Sequence, residues 1–300
     1  MRRKVIKQAN QAYTITLPID WVRKNQIDKD AEVDVEIRER DLIINSDKPV
    51  ACRKVRLDVN GLDDKGLYRI LISLYAKGVD EIEMISKEDI SQKLIRYSGQ
   101  VLGYALVEHK NELYVIKDLK GGETQDLDDV FKRVFQMVIL FYESAIKDVF
   151  GSRKETFQGS IARDLEVNKF CLYLQRAINK KSYSKSTKGR ALFTYSFELE
   201  KIGDEINRFW KTAIKHKINI NKQIKEMAEL SLETLGKAFE FYYQFNHKKV
   251  EEVYEMRDKV RNESEKLTKL DTMTSRFVRF IVKIAGEAAD LCHLTLMMNL

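Results

Sequence analysis

The chain has 300 residues, 44% apolar and 33% charged, with a formal net charge of +7, enough for two or three domains at about 100–200 residues each. Its longest apolar run, Met137–Tyr142 (MVILFY), falls well short of the roughly 20 residues a membrane-spanning helix needs, so the chain is not expected to be membrane-embedded. Cys52, Cys171 and Cys292 form no CxxC and argue against a disulfide framework or a cysteine-rich zinc site; the N-terminal MRRKVIKQANQ lacks the apolar stretch of a secretory leader, so the expected location is the cytoplasm.

The first 48 residues read as a small β unit with polarised charge. Residues 1–27 carry six basic groups (Arg2, Arg3, Lys4, Lys7, Arg23 and Lys24) against Asp20, whereas residues 28–47 carry eight acids against three bases. Such a unit presents one basic face to a polyanion such as DNA; chance clustering on a solvated surface explains the same run equally simply. Tyr13, Ile15 and Leu17 alternate as a strand that Pro18 stops, and Ile19–Asn25 reads as a helical turn. Val33, Val35 and Ile37 with Leu42 and Ile44 predict a hairpin turning at Arg38–Asp41. Fewer than 50 residues bury little core, so a partner chain is expected.

Residues 50–122 read as a small α/β connecting domain. Strands are predicted at Lys54–Val59 and Glu81–Ile85, helices at Asp64–Ala76 (closed by Gly78) and Lys87–Tyr97, and a hairpin from Tyr104–Glu108 with Leu113–Leu119. Lys120-Gly121-Gly122 reads as a linker.

Both prolines lie in the first 49 residues, so nothing interrupts long helices beyond them. Six amphipathic segments follow, at 126–150, 157–181, 187–216, 220–246, 248–271 and 274–299. Leu192, Tyr195, Leu199, Ile202, Ile206, Phe209 and Ala213 step by three and four, a bundle-type stripe. Arg163-Asp164-Leu-Glu-Val-Asn168 and Arg257-Asp258-Lys-Val-Arg-Asn262 both read R-D-x-x-x-N, and Lys201-Ile-Gly-Asp-Glu205 resembles Lys283-Ile-Ala-Gly-Glu287 in the same order. The body is therefore expected to be two tandem three-helix bundles, 126–216 and 220–300.

Glu200 and Asp204 share one helix face, as do Asp164 and Asn168 on theirs. By helical geometry Glu200 and Asp204 point away from the apolar stripe. Like charges at this spacing repel, a cost that a shared cation would reverse, and oxygen ligands suit hard metals. An ordinary wet helix face, with Arg163 and Lys201 supplying ion pairs, is the commoner arrangement. Catalysis is not expected: His109, His216, His247 and His293 are scattered, and no GxxxxGK[ST] or GxSxG occurs.

Phe197-Glu-Leu-Glu-Lys-Ile-Gly-Asp-Glu-Ile206 resembles the E-[RK]-I-[AG]-D motif of the PhoU family of phosphate-uptake regulators, and Arg163–Asn168 resembles that family's D-x-E-V-[ND] motif. The resemblance covers residues 126–300. Arg3–Lys7, Gln11–Pro18 and Leu42-Ile-Ile44 resemble the AbrB/SpoVT/MazE swapped-hairpin domain, a DNA-binding homodimer in which two chains complete one barrel; Ala9 stands where that family usually has glycine. Together the two resemble an archaeal type of phosphate regulator, to whose connecting region the middle segment with Tyr75-Ala-Lys-Gly78 is similar. The fold so implied is multidomain and mainly α: a swapped-hairpin β-barrel, a small α/β segment and tandem three-helix bundles. The implied function is phosphate-responsive transcriptional or signalling regulation of phosphate uptake. The implied partners are DNA, a second copy through the head, and a phosphate transporter ATPase or signalling protein. The implied cofactor is one or more divalent or ferric ions on Asp164, Asn168, Glu200 and Asp204. Asp258 and Asn262 match half of a second site, but Val282 and Gly286 stand where its carboxylates would be. An adaptor that negatively regulates a phosphate transporter without binding DNA is the alternative.

Overall fold

The computed structural model describes residues 2–8, 12–29, 31–38, 41–45, 52–119, 127–151, 157–180 and 187–300. Ala9, Pro49, the centre of the 38–41 turn and the 120–122 linker lie outside them. The chain divides into two compact units, Met1–Ala51 and Cys52–Leu300.

In the first unit, β1 (Ile6–Gln8) pairs antiparallel with β2 (Ala12–Thr14), Ile6 opposite Thr14. Then α1 (Ile19–Lys24) follows Pro18, whose fixed φ suits a helix start. β3 (Asp34–Arg38) pairs antiparallel with β4 (Asp41–Asn45), Val35 opposite Ile44 and Ile37 opposite Leu42. The strand expected through Leu17 ends at Thr14, and Val33 stands outside β3. The expected barrel is not closed within the chain: its described strands form two separate two-stranded sheets. Two such hairpins cannot enclose a core, and no described residue of this unit is buried. Val5, Tyr13 and Ile37 are 62%, 67% and 79% exposed.

The second unit begins with a four-stranded sheet ordered β5 (Lys54–Asp58), β6 (Glu81–Ile85), β8 (Leu113–Asp118), β7 (Tyr104–Lys110). β5 and β6 run parallel across α2 (Asp64–Lys77), and the rest is antiparallel. The Asp63 side chain caps α2 by accepting from the Gly66 N–H at 2.7 Å, and Gly78 closes it at φ +88°, a left-handed angle that favours glycine. Leu67, Leu71 and Tyr75 of α2 are buried with Ile82 and Met84 of β6. The next helix, α3, spans Ser91–Ser98 rather than starting at Lys87. Ser86 Oγ donates to the Glu88 carbonyl, and the Asp89 carboxylate accepts from both the N–H and hydroxyl of Ser91. These local bonds hold 86–90 as a turn and outcompete the helix.

Six long helices follow: α4 (Leu127–Phe150), α5 (Phe157–Lys180), α6 (Thr187–Lys215), α7 (Lys222–Tyr243), α8 (Val250–Lys266) and α9 (Thr272–Asn299). Asn221 caps α7 and Asp271 caps α9 through their side chains, which sets starts that periodicity misses by two residues. A short 3-10 turn, His247–Lys249, precedes α8. α4, α5 and α6 pack pairwise, as do α7, α8 and α9; α6 against α9 and α4 against α7 join the two groups. One apolar core runs through both, from Leu127 to Leu294. Phe209 stacks on Phe277 with ring centroids 4.4 Å apart, and Tyr195 donates across to the Leu291 carbonyl at 2.7 Å.

The sheet layer docks on α5 through its last two turns. The Arg176 guanidinium, 3% exposed, donates to the carbonyls of Tyr75 and Val79 and to the carboxylates of Asp80 and Asp118. It lies over the rings of Tyr75 and Tyr104. Asn179 donates to the Ala76 carbonyl, and Lys180 pairs with Asp80 at 2.6 Å.

Candidate functional site

Gly203 sets the geometry of the acidic site. A Cβ there would stand 3.2 Å from Val167 Cγ1, so the glycine permits a close approach of α5 and α6. That approach sets Asp164 against Glu200 and Asp204. The Asp164 carboxyl is pushed up to about 6, first by burial and then by the Asp204 charge; Lys211, a hydrogen bond with Asn207, and Arg208 oppose the shift. Glu200 is likewise raised by burial, then by Asp204 and Asp164. The three carboxylates therefore sense one another in a partly desolvated seam. Helical geometry alone had pointed Glu200 and Asp204 into water. Instead all four predicted residues, Asn168 included, are only partly exposed. The reason is tertiary: α2 packs on α5, and Tyr68 of α2, its phenol raised mainly by burial, feels the Glu200 charge.

Asn207 belongs to this seam and was not singled out from the sequence. It is 4% exposed, and its spacing from Glu200 and Asp204 (seven and three residues) is the signal that would have found it. Asp164 Oδ1, Asn168 Oδ1 and Asn207 Oδ1 are buried with no hydrogen-bond partner, a costly state for polar atoms. The donor set is all oxygen, which fits a hard cation. It is not a closed coordination shell. Arg208 holds Asp204 at 3.0 Å, and among the described residues no three His, Cys, Asp or Glu side chains are grouped to hold a metal ion.

The second bundle builds no equivalent seam. Asp258 is exposed and paired with Arg257 at 2.9 Å, and Asn262 is exposed. Val282 and Gly286 supply no ligand atom. Nearby, Glu205 of α6 has a side chain only 3% exposed and is held by Arg208 and Lys283. Lys283 also reaches Glu287 at 3.5 Å.

In the first unit, Arg2, Arg3 and Lys4 precede β1, Lys7 lies in it, and Arg23 and Lys24 end α1; all six are exposed. Among the described residues no helix is long and apolar enough to cross a membrane.

Two fused three-helix bundles with an acidic seam between α5 and α6 define the body as a PhoU-like helical fold. Its architecture is similar to that of the phosphate transport system regulatory protein PhoU from Streptococcus pneumoniae, with a TM-score of 0.50 at 15% identity over 58% of this chain and 91% of that one. No family model and no curated protein matches the sequence.

Proposed function

We propose that the chain is a phosphate-responsive regulator of phosphate uptake, of the archaeal type that joins a swapped-hairpin head to a PhoU-like body. The observation that carries this reading is the likeness of the body's fused bundles to a phosphate transport regulator. The head acts as a DNA-binding homodimer, its basic residues 2–7 and 23–24 on phosphates, which makes binding salt-dependent. The second copy covers the head's exposed apolar residues, Val5, Ile6, Tyr13, Val35, Ile37 and Leu42, a set that costs about 1.5–3 kcal/mol each to leave wet. The seam at Asp164, Asn168, Glu200, Asp204 and Asn207 holds a divalent or ferric cation, and the body contacts a transporter ATPase or a signalling partner. The three orphaned oxygens support the cation, and the Arg208–Asp204 pair is the contact a cation displaces.

The test of the DNA assignment is a gel shift on the chain's own promoter. Replacing Arg2, Arg3 and Lys4 with Ala abolishes the shift if the head binds DNA; unchanged affinity overturns that part and leaves the adaptor. For the cation, elemental analysis of purified protein and of the Asp204→Ala variant decides. Metal-free wild type, with no change in stability on adding cation, removes the metal from the reading.

A further inference from the structure

Arg208 belongs to two networks at once. Its guanidinium donates to Asp204 of the acidic seam at 3.0 Å and to Glu205, the buried carboxylate between α6 and α9. Lys283 of α9 donates to the same Glu205 oxygen, Oε1, and lies 3.5 Å from Glu287, one turn further along α9. Asp204, Arg208, Glu205, Lys283 and Glu287 therefore form an unbroken chain of alternating charge from the seam of bundle one to bundle two. Its middle is fixed and its links are movable. The Glu205 side chain is 3% exposed, whereas those of Arg208 and Lys283 are 51% and 44% exposed, so each cation can turn about its own stem. The far end is incomplete: Glu287 Oε2 is buried with no hydrogen-bond partner among the described residues, a costly state for a carboxylate. Burial raises the Glu287 carboxyl, Lys283 opposes the rise, and the Glu205 charge adds to it.

The internal repeat shows how this end came to be short of a partner. Lys201 and Glu205 correspond to Lys283 and Glu287, 82 positions on (283 less 201). Lys283 holds the glutamate of the other bundle, but Lys201 pairs with Glu198 of its own helix at 2.8 Å. At the same offset, Gly286 stands in the place of Asp204 and Asp290 in the place of Arg208. Only bundle one thus has both a seam carboxylate and an arginine to link it to the interface. We propose that Arg208 is a shared latch through which occupancy of the acidic seam is transmitted to Glu287 in bundle two. The cation half of this proposal rests on the reading of the seam given above; the sharing of Arg208 does not. A cation at Asp204 takes that carboxylate from Arg208. The guanidinium turns wholly to Glu205, Lys283 moves over to Glu287, and the orphaned oxygen gains its partner. Such coupling is reciprocal, so changes at Lys283 or Glu287 alter cation affinity at a seam that neither touches.

The test has a metal-free arm and a metal arm, both on the full-length, chelator-treated protein. In the first, Asp204→Asn and Glu287→Gln are combined in a double-mutant cycle read by denaturant unfolding. The pair is expected to shift the unfolding equilibrium constant at least about threefold away from the product of the single effects, more than the error of additivity at independent sites. Repeated in an Arg208→Gln background, the cycle becomes additive; Asp258→Asn with Glu287→Gln is additive throughout. In the second arm, Mn2+ is titrated calorimetrically. Lys283→Met leaves Glu205 to Arg208, draws the guanidinium off Asp204, and tightens Mn2+ binding at least about threefold; Glu287→Gln keeps Lys283 on Glu205 and weakens it by a similar factor. Both shifts vanish in the Arg208→Gln background, whereas simple attraction or repulsion through space would persist there. Thermal unfolding confirms that each variant folds. Wild type that takes up no Mn2+ removes the cation reading, and the metal-free cycle then decides the latch alone. An additive Asp204–Glu287 cycle, or shifts of either kind that survive the loss of Arg208, overturn the proposal.

Discussion

The two bundles carry the same R-D-x-x-x-N stretch, at Arg163 and at Arg257, yet only the first surrounds it. The offset is 94 residues (257 less 163), so the end of α8 at Lys266 corresponds to residue 172 (266 less 94). α5 runs on to Lys180, two turns further. Those extra turns hold Arg176, Asn179 and Lys180, the residues that dock the sheet layer. The docked layer brings Tyr68 over the Glu200 side of the seam. In bundle two the equivalent aspartate meets only its neighbour Arg257 and water. A repeated motif thus acquires different chemistry from what is packed on top of it: desolvation turns a carboxylate face into a strained polar seam.

The sharpest way to break this contrast is to undock the layer. Arg176→Ala removes the buried guanidinium and leaves Asp118 and Asp80 to Lys180, and is expected to destabilise the second unit by about 2–4 kcal/mol, measured by denaturant unfolding. Loss below about 1 kcal/mol shows that the layer is held by apolar packing instead. The next largest effect is at the helix crossing. Gly203→Val drives a branched side chain into Val167 and costs about 1–3 kcal/mol; Gly286→Val, on α9 at the place that aligns with Asp204, where a Cβ meets nothing within 4 Å, stays within about 0.5 kcal/mol, because valine is no worse a helix former than glycine.

A smaller effect reads the seam's electrostatics. Asp164 titrates at about 6 in the fold against an ordinary 3.8, so between those values the folded chain binds the extra proton. Its contribution to stability is full below pH 3.8 and is lost as pH rises through 6. In chelator-treated protein, Asp164→Asn is therefore expected to stabilise at pH 7.5 by about 1 kcal/mol, discounted for partial exposure, and to give no gain near pH 3.8. Asp258→Asn stays within about 0.5 kcal/mol at both pH values. Thermal melts across pH check this, and equal responses at the two positions break the contrast. Smallest of all, Gly286→Ala gains up to about 1 kcal/mol from helix propensity alone, again by denaturant unfolding.

Much of the fold was legible in the residues. The stripe from Leu192 to Ala213 is the buried face of α6 at every position, because a seven-residue recurrence of large apolar groups has one helical solution. Gly78 closed α2 as expected, since few other residues adopt φ +88°. The start of α3 was not legible: side chains at Ser86 and Asp89 decide it through local bonds that periodicity does not register. The β3–β4 hairpin was legible, but β1, which pairs with β2, was not, since Ile6 is the one large apolar residue among its three.

By itself the sequence determined the periodicities: a β head polarised in charge, a mixed middle segment, six helices and a duplicated polar motif. Those follow from local patterns, which each residue and its near neighbours specify. The tertiary structure alone decided which carboxylates lose their water. It placed Asn207 in the seam and Glu205 behind Arg208 and Lys283. Burial and electrostatic partners depend on residues far apart in the chain. For that reason one aspartate of a repeated pair became a perturbed seam residue while its twin at Asp258 stayed an ordinary surface charge.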